Sequence, residues 1–507
     1  MVSFIIRRLI ISFLVLLAAT FIVYVLVANA GDPRSALYES TEPGKENKIA
    51  ALTRNLSLDV PVIPRYFAWL SGVLGCFVGN CDLGNTAGGA PVIGGLEVAI
   101  GATLRLVVFA LVIAVVFGVT IGIVTALRQY SGLDYTVTFF AFLFFSLPSF
   151  WIAVLLKQFM AIKLNSWLQS PSIPLWLIVV AALIWGLLAV AVVGGDRNRR
   201  LMGFGIAFVL VVVILGYLQI TDWFAAPGIG PVLMILMSAL TAVVATALFA
   251  GFASRKVLYS TLATAAVGVI SYFTLNSVLA DPTALFLLGL LVLALVISAA
   301  IGAGMGGLYR SQAIRACMLT GFGCSLLIFT NQLLNAVPAY SAEVNGVVFA
   351  TIGATTPNFQ GNFWETTLDQ LGHLILPTIV LVLISLASYT RYTRSSMLEV
   401  MNLDYIRTAR AKGLTERTVV VRHGFRNAMI PITTIVALDI GALIGGAIIT
   451  ETVFGWVGMG RYFVDALKIP DANAVMGFFL ITGLAIVLAN LAADIVYGFL
   501  DPRIRLT

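Results

Sequence analysis

The sequence predicts an all-α polytopic membrane protein with about 12 transmembrane helices, and three observations carry that expectation. Hydrophobic residues make up 60% of the 507 and charged residues 10%, with a mean hydropathy of +1.02; a soluble domain of this size has no such composition. The apolar runs are about 20 residues long, the length an α-helix needs to cross a hydrocarbon core. They also lack the strict two-residue alternation of a membrane β-barrel. The net charge of +7 then reads as Lys and Arg held against anionic membrane lipid, and no nucleic-acid partner is implied.

Taken in order, the first span is 5–29, in which Arg7 and Arg8 precede an apolar run from Leu9 to Ala28. Ala28-Asn29-Ala30 resembles a signal-peptidase site, but the run is longer than a usual signal h-region, so an uncleaved first span is expected. A long loop, 31–97, follows, and Gly31–Pro33 is a turn signal within it. Trp69, Leu70 and Phe77 supply apolar material to bury, which favours a small folded cap over a flexible loop. Cys76 and Cys81 lie in this loop; their spacing permits a disulfide without demanding one. Cys317 and Cys324 fall in an apolar span and read as packing residues.

The remaining runs are 99–127, 135–162, 174–193, 201–220, 230–252, 257–279, 284–306, 314–334, 371–395, 428–452 and 474–499. With the N-terminus inside, the inner loops carry Arg128, Arg197, Arg199, Arg200, Arg255, Lys256, Arg310 and Arg315, and the tail adds Arg503 and Arg505. The outer loops carry Asp222, Asp281, Glu343, Glu365 and Asp369, and residues 331–370 contain no Lys or Arg. Every short loop obeys the positive-inside rule, so both termini are expected in the cytoplasm.

One polar island, 399–431, lies between the last two inner span ends and holds Arg407, Arg410, Lys412, Arg417, Arg422, His423 and Arg426. Its pattern suits a docking element better than a tether. A short amphipathic helix over 404–412 would present Tyr405 and Ile406 to an apolar groove on a partner, while Arg407 and Arg410 pair with acidic residues at its rim. Gly413 would end that helix in the left-handed conformation. Asn427 and Pro431 would set the approach to the next span, since Pro is tolerated where a helix begins. An ordinary basic loop against lipid headgroups is the plainer alternative.

Polar residues inside spans are costly and so draw attention. Lys157 reads as a side chain that snorkels outward. Asp439 either faces a path through the membrane or hydrogen-bonds inside the bundle. Thr450 and Glu451 sit at the outer end of the eleventh span, where Glu451 either belongs to a gate or caps or pairs with Arg461. Asp494, Tyr497 and the Asp501–Arg503 turn would fix the last helix at the surface. No GxxxxGK[ST] phosphate loop occurs, so ATP hydrolysis by this chain is not expected. The two histidines, His373 and His423, have no metal-ligand spacing around them, no nucleophile motif is present, and neither a metal nor a catalytic residue is expected.

Several separated motifs in fixed order resemble one family. They are FIIRRLIISFLVLLAATFIVYVLVANAGDP, LSLDVPVIPRYFAWL, DLGNT and SGLDYTVTFFAFLFFSLPSFW in the first part. LGHLILPTIVL, DYIRTARAKGL, RHGFRNAMIP, GGAIITETVFGWVGMGRYFVDAL and NLAADIVYGFLDPRIR follow in the last. The chain resembles the B-type permease subunit of oligopeptide/dipeptide ABC importers over roughly 1–165 and 365–507. The resemblance implies a six-span core in two parts, 1–165 and 357–507, split here by an inserted six-span segment, 166–356, expected as three hairpins forming a peripheral layer. Within the insert, Gly302 and Gly306 form a small-xxx-small step for close helix contact. The coupling loop of the family corresponds to Asp404, Tyr405, Ile406, Arg407, Thr408, Ala409, Arg410, Ala411, Lys412 and Gly413; the family's EAA-like step is Arg407-Thr408-Ala409 here, without the glutamate. Implied partners are a second, C-type permease, one or two ATPase subunits that carry ATP and Mg, and an extracytoplasmic peptide-binding protein. The chain itself would bind no cofactor. The same family resemblance fits nickel-chelate or glutathione cargo. A proton-coupled secondary transporter using Asp439 or Glu451, or a membrane scaffold, are the readings from other classes.

Overall fold

The computed structural model describes residues 2–193, 195–251 and 254–500. The Asp501–Arg503 turn and Arg505 therefore lie outside the described residues, as does the side chain of Tyr497. Among the described residues eleven helices are long and apolar enough to cross a membrane, and one bent helix pair would make a twelfth. No strand occurs among them beyond a single bridge between Asn85 and Pro91.

The first span is α1 (Val2–Asn29). The loop after it folds into α2 (Ser35–Glu39), α3 (Lys45–Asn55) and α4 (Val62–Gly75). Tyr66 and Trp69 of α4 pack on Tyr24 of α1, and the Tyr66 hydroxyl lies 3.1 Å from that of Thr20. The loop is thus a folded cap. Cys76 and Cys81 are disulfide-bonded. Phe77, expected to be buried, is instead 82% exposed, because the 3-10 turn Cys76–Val78 carries it past the end of α4.

Next come α5 (Val92–Leu127), α6 (Gly132–Ser146), α7 (Ser149–Leu156) and, after a π-wound stretch Lys157–Lys163, α8 (Leu164–Leu168). The span expected at 135–162 is therefore not straight: it bends by 101°. Leu147 is extended, with φ −79° and ψ 130°, because the ring of a following proline keeps the preceding residue out of the helical region. Six helices follow: α9 (Leu175–Val193), α10 (Arg197–Ile220), α11 (Pro231–Phe249), α12 (Arg255–Thr274), α13 (Ala284–Met305) and α14 (Arg310–Glu343).

Helix α15 (Phe363–Met401) opens with a capping box in which Asn362 and Glu365 satisfy each other's backbone N–H groups. It starts earlier than the expected 371, so Asp369 leaves the outer loop and is 2% exposed within the helix. The polar island forms α16 (Asp404–Ala411), α17 (Glu416–Thr418) and a π-wound stretch Val419–Phe425. The expected span 428–452 is two pieces, α18 (Arg426–Gly446) and α19 (Ile448–Phe454), broken at Ala447. Finally come α20 (Met459–Lys468) and α21 (Ala472–Leu500).

The most extensive helix contact is α5 with α15. It depends on a small-residue seam: a Cβ at Gly122 would stand 2.6 Å from Thr393 Cβ and 2.8 Å from the Thr390 carbonyl oxygen. Glycine is needed where backbones approach that closely. Helix α21 packs on α18 and α1. In the 166–356 stretch, α9 pairs with α10, α11 with α12 and α13 with α14, and the last two pairs join into a four-helix group. The long α14 is the reason: it contacts α11, α12 and α13 together. The Gly302 step does make close contact, since a Cβ there would lie 2.7 Å from Ile314 Cα on α14. The two ends of the stretch meet: the Asn165 amide donates to the Phe349 carbonyl at 2.8 Å and accepts from the Phe349 N–H at 3.0 Å.

Candidate functional site

At the basic end of the bundle, α16 is held to its own chain by one face. Ile406 and Ala409, 0% and 6% exposed, pack with Val419 and against Met401. Tyr405, Arg407, Thr408, Ala411 and Lys412 point outward, flanked by the exposed Leu403 and Leu414. The alternation of these faces at helical spacing makes α16 amphipathic toward its own loop. Gly413 ends the helix at φ +76° with no atom within 4 Å of a Cβ placed there, so its need for glycine is conformational and not steric. Thr415 then caps α17 through its side chain.

Three expectations change here. Ile406 is not offered to a partner; it is the anchor that seats α16, because its position lies three residues before Ala409 on the inward stripe. Arg410 is paired within its own loop, its guanidinium donating to both oxygens of Glu416, at 2.7 and 3.2 Å. Pro431 lies inside α18 and not at a helix start, because the chain is already helical through the π-wound turn before it. Asn427 has a more direct task than setting an approach: its Nδ2 donates to the Tyr405 hydroxyl at 2.7 Å and so ties α16 to α18. Arg407 remains outward, 71% exposed with Asp404 at 3.7 Å. Arg417 donates to the Leu248 carbonyl at the end of α11, at 3.3 Å.

At the opposite end, α19 and α20 form a bent pair around Glu451, whose side chain is fully buried. Its carboxylate accepts from Thr103 Oγ1 at 2.7 Å and from the Arg461 N–H at 3.0 Å. Thr103 Oγ1 in turn accepts from the Met459 N–H at 2.8 Å. The arrangement joins α5, α19 and the start of α20 through one carboxylate. Arg461 is engaged through its backbone; its guanidinium faces Asp465 at 3.7 Å. Thr450 is also buried, at 2%. Asp439 is half-buried and accepts from the Tyr389 hydroxyl at 2.7 Å, inside the bundle. Lys157 does not snorkel: its ammonium donates to the Val453 carbonyl of α19 at 3.0 Å, reaching it because the bend at Pro148 turns α7 toward α19. Asp494 is reached by Arg8 at 3.3 Å, which ties α21 to α1.

The long loop is tied to the same end. Asp471, 4% exposed, accepts from the Ala87 N–H at 2.6 Å and the Ala474 N–H at 3.0 Å. Burial pushes its carboxyl above the usual carboxylate range.

Reading the sequence missed two polar clusters. Arg394 of α15 donates to both oxygens of Asp134, at 2.7 and 2.9 Å; the Ser131-x-x-Asp134 cap that opens α6 was the one available signal. Asp369 accepts from the Tyr340 hydroxyl at 3.2 Å and the Thr356 N–H at 3.0 Å, with His373 buried beside it at 3.5 Å. Asp369 and His373 are one helical turn apart, but no local pattern joins them to Thr356 and Tyr340, 13 and 29 residues from Asp369. Among the described residues no group of three or more His, Cys, Asp or Glu could hold a metal ion.

Comparison with known proteins gives this architecture a family. Residues 203–506 match the profile described as "Binding-protein-dependent transport system inner membrane component". Residues 1–98 match that of its N-terminal part. The first of these runs through α10–α14 as well as the C-terminal helices. The chain is 41% identical over 217 residues to the dipeptide transport system permease protein DppB of Escherichia coli (strain K12), covering 39% of this chain and 62% of the relative. It is 39% identical over 180 residues to the oligopeptide transport system permease protein OppB of Mycobacterium tuberculosis (strain ATCC 25618 / H37Rv), 36% of this chain and 55% of that one. Against the oligopeptide transport system permease protein AppB of Bacillus subtilis (strain 168) the figures are 45% over 163 residues, 32% and 50%. The matched stretches thus span between half and two thirds of these relatives. With eleven membrane-length helices among the described residues and both profiles matched in order, the chain belongs to the family of binding-protein-dependent transport system inner membrane components.

Proposed function

We propose that the chain is the transmembrane permease subunit of an ATP-driven ABC importer that takes up oligopeptides or dipeptides. It forms half of the translocation pathway; a second, homologous C-type permease forms the other half. One or two ATPase subunits, which hold ATP and Mg, dock on α16, and an extracytoplasmic peptide-binding protein delivers cargo to the opposite face. The chain hydrolyses nothing itself. Both termini and the 399–431 loop lie in the cytoplasm, as the loop charges favour.

The observation that carries this reading is the construction of α16. Its inward stripe is seated on Val419, Asn427 ties it to α18, and Arg410–Glu416 fixes the turn after it. An outward face of Leu403, Tyr405, Arg407 and Lys412 is left exposed. A helix so braced between α15 and α18 transmits a push from a docked ATPase to both spans. Arg407 and Lys412 supply charge for an acidic rim, and Tyr405 and Leu403 supply the apolar centre. In this mechanism ATP-driven closure of the ATPases carries α16, and α15 and α18 move with it.

The test is purification of the tagged chain from its own membrane in mild detergent. An ATPase and a second permease should co-purify, and the ATPase should be lost with Tyr405→Ala plus Arg407→Glu while the second permease stays. Recovery of the chain alone, with peptide uptake that persists when ATP is exhausted and a proton gradient is maintained, overturns the proposal.

A further inference from the structure

Arg391 of α15 is a cation held inside its span. Its guanidinium carbon lies 4.3 Å from the centre of the Phe145 ring, with Tyr392 and Phe142 at 5.6 and 5.9 Å. Arg394, about one turn further along α15, reaches Asp134 in the first turn of α6. Phe142 and Phe145 stand about 12 and 16 Å further along α6 than Asp134, at 1.5 Å per residue. The tilt of helical side chains toward the helix N-terminus sends Arg391 that way, and the three rings hold it there. An arginine on a lipid-facing surface turns its head to the nearer headgroups instead. A charge kept at depth belongs to the bundle interior or to a water-filled passage.

This cation lacks an anion. Among the described residues Arg391 has ring contacts but neither a hydrogen bond nor an ion pair. Carboxylates on the neighbouring helices are already engaged, Asp134 by Arg394 and Asp439 by the Tyr389 hydroxyl. No Lys or Arg occurs in 129–156, 316–390 or 427–460, so α6 carries no positive charge of its own and α15 none outward of Arg391. A guanidinium laid on a ring keeps its N–H edge free. That edge matches a carboxylate, which it binds through two parallel hydrogen bonds. Beside it, Tyr135, Phe139, Phe142 and Phe145 form an aromatic stripe on α6, each more than half exposed.

We propose that Arg391 is a cargo-binding residue, taking the C-terminal carboxylate of a peptide in the inner part of the pathway. That carboxylate is the anion that linear peptides of every sequence share, so one cation serves varied cargo. The aromatic stripe then receives the side chains that precede the terminus, whatever their shape. A fixed acid on the second permease is the other anion that would suit the charge. A permanent buried pair recovers little of its desolvation cost, whereas a cargo carboxylate has to leave water in any case to cross. The assignment rests on the transport reading above and adds to it the chemical group of the cargo that this chain recognises.

The experiment uses the complex that co-purifies with the full chain, reconstituted in vesicles with ATP. Its probes are a mixed library of tri- to pentapeptides and the same library amidated at the C-terminus, with uptake read by mass spectrometry. The parent should prefer the free acids. Arg391→Gln should lower free-acid uptake about tenfold, the change that 1.4 kcal/mol of lost contact produces, and leave amide uptake unchanged. Arg391→Lys, which keeps the charge, should retain part of the preference. A parent that takes up both libraries equally overturns the assignment with no variant needed, and leaves the importer reading standing. An acid-to-amide ratio unchanged in Arg391→Gln, or both libraries reduced in parallel, overturns it too. Loss of the second permease from the Arg391→Gln complex gives the guanidinium to that subunit and overturns the cargo role. A parent complex that takes up neither library overturns the peptide reading and this assignment with it.

Discussion

Glu451 illustrates how a residue marked as costly by its place in the sequence finds its use. Fully buried, its carboxylate is the common acceptor for Thr103 and the Arg461 N–H. Removing it strands both donors. Glu451→Ala should therefore lower stability by about 2–4 kcal/mol, since each buried unsatisfied group costs about 1–3 kcal/mol. Glu451→Gln keeps one acceptor oxygen and should cost less than half as much. Thermal unfolding in detergent measures both; an alanine variant as stable as the parent would refute the linking role. Asp471 supports a pH prediction. Burial raises its carboxyl, so the folded chain binds its proton more tightly than the unfolded chain does. The sign follows: this contribution to stability is present at low pH and is lost as pH rises through the raised pKa. Asp471→Asn should not show that loss, so the two stability curves should diverge in favour of the variant as pH climbs from the acid side. Parallel curves would mean that Asp471 does not titrate differently on folding.

At the scale of elements, α16 depends on one buried side chain and one backbone conformation. Ile406→Ala should cost about 2–4 kcal/mol locally, as large-to-small changes at fully buried sites do. It should release α16 to rapid amide exchange while α15 and α18 stay protected; unchanged exchange at 404–411 would show that α16 is held by other contacts. At Gly413 there is room for a side chain but a positive φ. Gly413→Val should then cost about 1–2 kcal/mol, the price of the left-handed conformation for a bulky residue, and Gly413→Asn much less. A steric role would instead penalise both in proportion to size. The same logic explains what the sequence concealed. The turn at Gly413 and the cap at Ser131 follow from local chemistry and could be read directly. Which face of α16 turned inward could not, because Tyr405 and Ile406 are both apolar and only the position of Val419 decides between them.

For the whole molecule, the decisive contact is Asn165 with Phe349, where the stretch between them leaves and returns at one point. If 166–356 is a separable insert, joining residue 169 to 347 through a short flexible linker should leave α5, α15, α18 and α21 packed. The shortened chain should insert and resist protease like the parent, with Trp364 newly exposed because Leu279 is gone. Aggregation of the shortened chain, or loss of the α5–α15 contact by cross-linking, would show that the stretch is part of the core.

Periodicity, run length and loop charge determined the all-α membrane class, the span order and the position of the polar island, because a bilayer admits few solutions to backbone hydrogen bonding and to the placement of charge. They also marked Glu451, Asp439 and Lys157 as unusual. Only the tertiary structure decided what those groups touch. Glu451 meets Thr103, Asp439 meets Tyr389 and Arg394 meets Asp134 across separations of 348, 50 and 260 residues. It also decided that α11–α14 assemble as one group around α14. Such pairings depend on how helices cross and bend, at Pro148 and along the Gly118–Gly122 seam. Crossing geometry is a property of two packed surfaces together, which neither segment contains alone.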